Sequence, residues 1–188
     1  RSAQSEAKNL GKRMFNNLSQ NEPEKIQALD DLSKKISRNS NSSMGDTLAE
    51  CIKGGVAFHH AGLMHSQRTE IEKAFKNRLL VCLCATPTLA AGVNLPARRV
   101  LVRDLKRYED GMSRLLPVME VKQMLGRAGR PRYDPIGEAW LACKGGDPRQ
   151  VADEIADRYF HGPVEDITSK LAAEPAMRFH LLSSIANG

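Results

Sequence analysis

Residues 56–85 read VAFHHAGLMHSQRTEIEKAFKNRLLVCLCA, and this stretch decides the fold. It opens with a short apolar strand at Val56–Phe58, continues through a helical pattern over His65–Lys76, and closes with the strongly apolar run Leu79–Ala85. That last run has the length and composition of a buried strand. Strands that alternate with helices are typical of a parallel sheet covered by helices. The stretch therefore predicts an α/β fold.

The same alternation extends in both directions along the chain. Upstream, the predicted elements are helices over Ser2–Ser19, from Pro23 onward and over Thr47–Lys53, with a loop at Arg38–Asp46. Downstream, they are a short helix at Pro87–Ala91, a strand at Arg99–Val102, a helix at Val118–Ala128, a strand at Glu138–Cys143 and a helix at Pro148–Phe160. Ligands of such sheets bind at the carboxyl ends of the strands. The candidate loops are therefore those that begin at His59, Thr86, Arg103 and Lys144.

The composition, with 41% hydrophobic and 27% charged residues, is that of a globular protein. No run approaches the roughly 18 apolar residues of a membrane span. Trp140 is expected in the core, and Tyr159-Phe160 is expected to pack against a following domain. The cysteines lack the C-x-x-C spacing of zinc sites, so we expect buried thiols in a reducing, cytoplasmic compartment. They are Cys51, Cys82, Cys84 and Cys143.

The positive charge is concentrated in one part of the chain. Residues 98–132 carry 10 basic and 4 acidic side chains, which equals the net charge of +6 of the whole chain. Such a concentration favours a partner that bears phosphate groups. A solvated charged face is the alternative interpretation.

The sequence Gln123-Met-Leu-Gly-Arg-Ala-Gly-Arg130 is the first candidate site. Arg127 and Arg130 are three residues apart, so on the predicted helix they project from nearly the same face. Two guanidinium groups arranged in this way suit a phosphate chain, whose oxygens they can bind in pairs. The alternative is an ordinary helix end at the surface.

The sequence Ala85-Thr-Pro-Thr-Leu-Ala-Ala-Gly-Val-Asn-Leu-Pro96 is the second candidate site. It places the hydroxyl groups of Thr86 and Thr88 at the start of a predicted short helix. Hydroxyl groups and unpaired N–H groups at a helix N-terminus bind phosphate well. A simple N-cap by a threonine is the alternative.

A β-hairpin is predicted between these two sites. Asp110-Gly111 is a strong turn signal, and it separates Lys106–Glu109 from Met112–Leu116. The ribbon is basic and carries Tyr108, Met112 and Leu115, which could stack on exposed bases at a duplex junction. A plain connecting loop is the alternative.

Three segments together resemble a known family. Phe58-His-His-Ala-Gly-Leu63, Ala85–Pro96 and Gln123–Arg130 resemble motifs IVa, V and VI of superfamily 2 helicases, in order and in spacing. The continuation of motif V through Val100 and the tail Glu165–Ala172 are similar to the Hjm-type DNA repair helicases of archaea. These are related to the helicase part of eukaryotic DNA polymerase theta.

The resemblance implies a domain organisation and a function. Residues 1–162 would form a second RecA-like motor domain, with a parallel sheet covered by helices and a hairpin insertion, and 163–188 would begin a winged-helix domain. The whole protein would be an ATP-dependent helicase that moves 3′ to 5′ on DNA, acts at branched or stalled replication forks and associates with the nucleoid. Its partners would be single-stranded and branched DNA, together with the first motor domain and the winged helix of the same chain. That first motor domain would bind most of the ATP and Mg²⁺.

The resemblance also implies roles for individual residues. Arg127 and Arg130 match arginine fingers, with Gln123 beside them. Gly92 and Asn94 match the part of motif V that reports the nucleotide state. Thr86 and Thr88 match the contact of motif V with the DNA backbone, and His60 and Gly62 lie in the motif IVa loop, also near DNA. The charge of the basic stretch adds Arg103 and Arg107 to the residues expected to contact DNA, and the hairpin adds Tyr108.

The chain holds no G-x-x-x-x-G-K-[ST] phosphate loop, and its doublets Gly54-Gly55 and Gly145-Gly146 are expected to be turns. We therefore expect this chain to be a piece of a longer protein and to hydrolyse no ATP alone. Two alternatives stay open. One is an RNA helicase of the same branch, and the other is a non-catalytic nucleic-acid-binding module with a RecA-like fold.

Overall fold

The computed structural model describes residues 2–38, 42–87, 95–109, 111–130, 134–166 and 174–186. These residues form helices and parallel strand pairs, which confirms the predicted α/β class. The chain divides into two compact units. The first comprises Arg1–Leu101 and Gln123–Trp140, and the second comprises Val102–Lys122 and Leu141–Gly188. The proposed domain boundary after residue 162 stays a prediction.

Three helices begin the first unit: α1 (Ser2–Asn21), α2 (Glu24–Arg38) and α3 (Ser43–Lys53). Helix α3 begins four residues earlier than predicted. The cause is Ser42, whose side chain accepts a hydrogen bond from the backbone N–H of Gly45 at 3.3 Å and so caps the helix. The predicted loop before it is correspondingly shorter.

A parallel strand pair follows these helices. Strand β1 (Val56–His59) leads through helix α4 (His65–Lys76) to strand β2 (Cys82–Ala85). The register runs from Val56 opposite Cys82 to His59 opposite Ala85. All of β1 is buried. It lies at the centre of the apolar core of this unit.

Strand β2 is shorter than the predicted run, which began at Leu79. The backbone N–H groups of Leu79 and Leu80 both donate to the carbonyl oxygen of Ala74, at 3.0 and 3.3 Å. They therefore close the end of α4 and cannot join the strand ladder. Val81 then donates to the carbonyl of Gly55 at 2.8 Å, which brings the chain alongside β1.

None of the four cysteines forms a disulfide. Cys51 is buried, and burial raises the pKa of its thiol to about 11, so it stays protonated at neutral pH. Cys82 and Cys84 are half-buried on β2. Cys143 is exposed, so the expectation of buried thiols is wrong at this position.

A second strand pair joins β3 (Arg99–Val102) and β6 (Glu138–Leu141). Glu138 N donates to Arg98 O and Ala142 N to Val102 O, each at 2.9 Å, so both strands advance in the same direction. Trp140 is 58% exposed, and the prediction that it belongs to the core is wrong. The apolar pattern of the strand predicts buried residues, but it does not show which face of the strand is covered.

The second unit contains the predicted hairpin. Strands β4 (Lys106–Glu109) and β5 (Met112–Leu115) pair antiparallel, and this confirms the hairpin insertion. Leu105 and Leu116 close its base, because both side chains are buried and Leu116 N donates to Leu105 O at 2.9 Å. Asp110 lies outside the described residues.

Three helices complete the fold: α5 (Val118–Leu125), α6 (Pro148–Ala156) and α7 (Glu174–Ala186). Helix α6 is capped by the side chain of Asp147 and continues as a π-helical turn over Asp157–His161. None of the helices in the described ranges has the length and apolar character that crossing a lipid bilayer requires.

Tyr159, in the π-helical turn, corrects a further expectation. Its side chain is fully buried within the second unit, and its hydroxyl donates to the carbonyl oxygen of Leu116 at 2.9 Å. Tyr159 therefore binds the base of the hairpin, and its burial does not depend on a following domain. Its neighbour Phe160 is 49% exposed.

Helices α1 and α3 approach each other at two glycines, and this contact generates a stability prediction. A Cβ on Gly54 would lie 2.1 Å from the carbonyl oxygen of Gly11, although the φ of Gly54, −89°, suits any residue. We expect Gly54→Ala to lower the free energy of unfolding by about 2–3 kcal/mol, because the helices must separate. Gly145→Ala is the control, since its Cβ would meet nothing within 4 Å and the only cost comes from φ of +92°. Urea unfolding of the two variants measures the difference, and equal losses would contradict the steric explanation.

Candidate nucleotide and nucleic-acid site

Motifs IVa and V meet at the carboxyl ends of β1 and β2. Thr86 N donates to His59 O at 3.3 Å, one residue beyond the paired strands. The structure therefore places His60 and Thr86 at the same edge, where the parallel sheet was predicted to bind a ligand. Thr88, Gly92 and Asn94 lie outside the described residues, and the roles predicted for them stay predictions.

His60 is held in one orientation. Its ring stacks on Phe58, with centroids 5.5 Å apart and planes within 8°. Its Nδ1 accepts the backbone N–H of Gly62 at 3.0 Å, so the ring proton lies on Nε2. Partial burial lowers the pKa of His60, which keeps the ring neutral at physiological pH. His60 can therefore offer a ligand a hydrogen-bond donor at Nε2, but not a positive charge.

The arginines of motif VI are not arranged as predicted. Helix α5 ends at Leu125, three residues early, so Arg127 and Arg130 do not share a helical face. After the helix, the carbonyl of Arg127 accepts a hydrogen bond from Ala97 N at 3.0 Å, and Gly129 N donates to Ala97 O at 2.7 Å. These bonds form a parallel bridge between Ala97 and Ala128, and this bridge replaces the predicted last turn of helix.

Glycines allow this bridge to pack tightly. Gly129 has a φ of +91°, a left-handed conformation that side chains disfavour. A Cβ on Gly137 would lie 2.5 Å from Gly129 N and 2.6 Å from the carbonyl carbon of Ala128. Only a glycine at residue 137 lets the approach to β6 pass so close to motif VI.

Arg130 is held by Asp134, a residue that the sequence reasoning did not select. Nε and Nη2 of Arg130 donate to the two carboxylate oxygens at 2.6 and 2.7 Å. The hydrogen bond from Arg130 holds the pKa of the Asp134 carboxyl below its usual range. Gln123 is exposed on α5, and Arg127 is half-buried just beyond its end. The only sequence signal for Asp134 was its position four residues after Arg130.

The basic stretch is more extensively paired with carboxylates than its composition suggested. Arg103 Nε contacts the Asp104 carboxylate at 2.7 Å, and Lys144 Nζ contacts the same carboxylate at 2.6 Å. Asp104 therefore joins the loops that follow β3 and β6, two of the four loops predicted to bind ligands. Further pairs among the described residues of this stretch are Arg99 with Glu138 and Arg107 with Glu120. A phosphate group must compete with these carboxylates.

The hairpin presents two different faces. In its register Tyr108 lies opposite Ser113 and Lys106 opposite Leu115, so these four residues share one face. Tyr108 is 76% exposed there. Met112 lies on the other face, with the arginines of the two strands. The three apolar residues predicted to stack on bases are therefore divided between the faces.

Helix α5 is fastened to the hairpin and to the segment after α6. Glu120 pairs with Arg107 of β4. The carboxylate of Glu165 accepts the backbone N–H groups of Val118 and Met119 at 2.6 and 3.0 Å. These bonds hold the pKa of Glu165 below its usual range. Glu165 is far from the helix in sequence, and no local pattern identifies it.

The described residues include no group of three or more side chains that could hold a metal ion. Guanidinium groups such as those of Arg127 and Arg130 can bind phosphate oxygens without a metal ion.

Comparisons with known proteins agree with these observations. A family model of the helicase conserved C-terminal domain matches residues 18–132. The chain is 44% identical over 185 residues to the ATP-dependent DNA helicase Hel308 of Methanocella arvoryzae, which covers 98% of this chain and 24% of that protein. It is 41% identical over 187 residues to the protein of the same name from Pyrococcus horikoshii. This match covers 99% of this chain and 25% of that protein.

The chain spans about a quarter of the length of these curated relatives. The family match includes motifs IVa, V and VI together with the hairpin between the last two. The chain therefore belongs to the helicase conserved C-terminal domain family, and the resemblance to archaeal Hjm-type DNA helicases is confirmed.

Proposed function

We propose that this chain is the second motor domain of an ATP-dependent DNA helicase and that it completes the ATP site with arginine fingers. The observation that carries the proposal is the bridge between Ala97 and Ala128. It joins the residue that follows motif V to the middle of motif VI. A change in the path of motif V is therefore passed to the arginines through backbone hydrogen bonds.

Arg127 and Arg130 act on the phosphoryl group that leaves ATP. Their guanidinium groups neutralise the charge that develops on its oxygens, and in other nucleotide hydrolases an arginine in this role accelerates the reaction by roughly 10³–10⁵. Gln123 stands nearby on α5 and contacts the nucleotide. Gly92 and Asn94 report the nucleotide state. Mg²⁺ and most of the ATP are bound by the first motor domain.

DNA binds along the edge that carries His60, Gly62 and Thr86, and Thr88 continues this surface. The basic side chains of Arg103 and Arg107 exchange their carboxylate partners for DNA phosphates, which makes the affinity dependent on salt. Tyr108 stacks on a base where the duplex opens. The hairpin thereby separates the strands as the motor advances.

The remaining features follow from the family resemblance. The motor moves 3′ to 5′ on single-stranded DNA, works inside the cell at branched or stalled replication forks, and associates with the nucleoid. Residues 1–162 form the motor domain, and 163–188 begin a winged helix. The names of the relatives, which are DNA helicases, favour DNA over RNA and a motor over a non-catalytic module.

The arginine fingers give the first functional prediction. In the full-length protein, Arg127→Ala should lower the kcat of DNA-stimulated ATP hydrolysis roughly 100-fold, because charge on the transferred phosphoryl group loses its partner. DNA affinity should change less than about twofold, since the phosphates of DNA bind elsewhere. Steady-state ATPase assays and fluorescence anisotropy with single-stranded DNA measure the two quantities. Loss of DNA affinity with kcat intact would assign Arg127 to the DNA path instead.

The second functional prediction concerns the hairpin. Tyr108→Ala in the full-length protein should slow unwinding of a 3′-tailed duplex about tenfold, because stacking on one base contributes about 1–3 kcal/mol. DNA-stimulated ATP hydrolysis should stay within a few-fold, since translocation does not need the ring. Ser113→Ala is the matched control, as Ser113 lies directly opposite on the same face. Unwinding by Tyr108→Ala as fast as by Ser113→Ala would contradict the stacking role of Tyr108.

A further inference from the structure

The contact between Asp134 and Arg130 fixes the plane of a guanidinium group. The two hydrogen bonds run from Nε and Nη2 of Arg130 to the two different carboxylate oxygens, and both are short, at 2.6 and 2.7 Å. A paired contact of this kind orients an arginine more firmly than a single bond does. The side chain of Asp134 is only 7% exposed, so water competes little for its oxygens.

Arg130 and Asp134 are also joined through their backbones. Asp134 N donates to Arg130 O at 3.0 Å, so a backbone bond and a side-chain pair join the same two residues. A few residues later the chain returns to motif VI, where Gly137 packs against Gly129. Asp134 therefore lies between two contacts with motif VI, its own bond to Arg130 and the packing of Gly137 on Gly129.

Asp134 contacts one edge of the guanidinium group. A guanidinium carries five N–H donors, and the pair uses Nε and one hydrogen of Nη2. The terminal edge, formed by Nη1 and the second hydrogen of Nη2, is not part of this pair. A planar fork can bind a carboxylate along one edge and a phosphate along another.

We propose that Asp134 is a positioning residue for Arg130, holding its guanidinium group by the Nε edge so that the terminal edge meets the phosphoryl group transferred from ATP. The inference rests on the proposed function, in which Arg130 is an arginine finger. The carboxylate touches neither ATP nor DNA and acts only through the arginine. The pair of Asp134 and Arg130 persists when the nucleotide is bound. In this it differs from an inhibitory ion pair, or latch, which would have to break before Arg130 could reach the nucleotide.

The test is a double-mutant cycle in the full-length protein. Asp134→Asn should lower the kcat of DNA-stimulated ATP hydrolysis about tenfold, while the KM for ATP and the affinity for single-stranded DNA change less than about threefold. In an Arg130→Ala background the same substitution should change kcat less than about twofold, because the residue through which it acts is gone. Asp134→Glu keeps the charge and should retain more activity than Asp134→Asn.

Asp30→Asn is the matched control, since Asp30 forms a comparable pair with Lys34 four residues on, at 2.6 Å on α2. It should leave kcat unchanged. An equal loss of kcat from Asp134→Asn with and without Arg130 would overturn the proposal, because Asp134 would then act on the fold. A rise in kcat would overturn it by showing a latch. If Arg130→Ala itself leaves kcat unchanged, the finger role of Arg130 fails first, and the inference fails with it.

Discussion

Two backbone hydrogen bonds at Ala97 are the constraint on which the site depends. Its N–H donates to Arg127 O at 3.0 Å, and its carbonyl accepts from Gly129 N at 2.7 Å. Backbone groups cannot change rotamer, so these bonds fix the end of motif V against motif VI without help from side chains. The strand pair β3 and β6 continues from this point, because the next carbonyl, that of Arg98, accepts a bond from Glu138 N.

The charged side chains around this backbone are organised by carboxylates. Asp134 orients Arg130, Asp104 bridges Arg103 and Lys144, and Glu120 pairs with Arg107. The exposed pairs around Asp104 contribute little to stability, about 0–1 kcal/mol each. Their main effect is on orientation, since a carboxylate partner fixes the direction of the guanidinium group. Arg103, Arg107 and Arg130 of the basic stretch are therefore held by carboxylates of the same chain.

Local signals in the sequence predicted local structure well. Helix α4, strand β3 and the hairpin around Gly111 match their predictions, because periodicity and turn residues determine them within a few positions. The early end of α5 was missed, since it follows from pairing with Ala97, some 30 residues away. The exposure of Trp140 was missed for a related reason, because an apolar strand does not reveal which of its faces is covered. Motif VI identified Arg127 and Arg130 as candidates, and their roles stay predictions. Asp134 and Glu165 were not predicted, because the bonds that they form become evident only in the structure.

The bridge at Ala97 is tested most directly by Gly137→Ala in the full-length helicase. The added Cβ would lie 2.5 Å from Gly129 N, so the substitution disturbs the bridge without removing a charged side chain. The quantity to measure is the ratio of ATP hydrolysis rates with and without single-stranded DNA. If the bridge links motif V to motif VI, this ratio should fall about tenfold while DNA affinity holds. A ratio equal to that of the parent protein, in a variant that still binds DNA, would contradict the account.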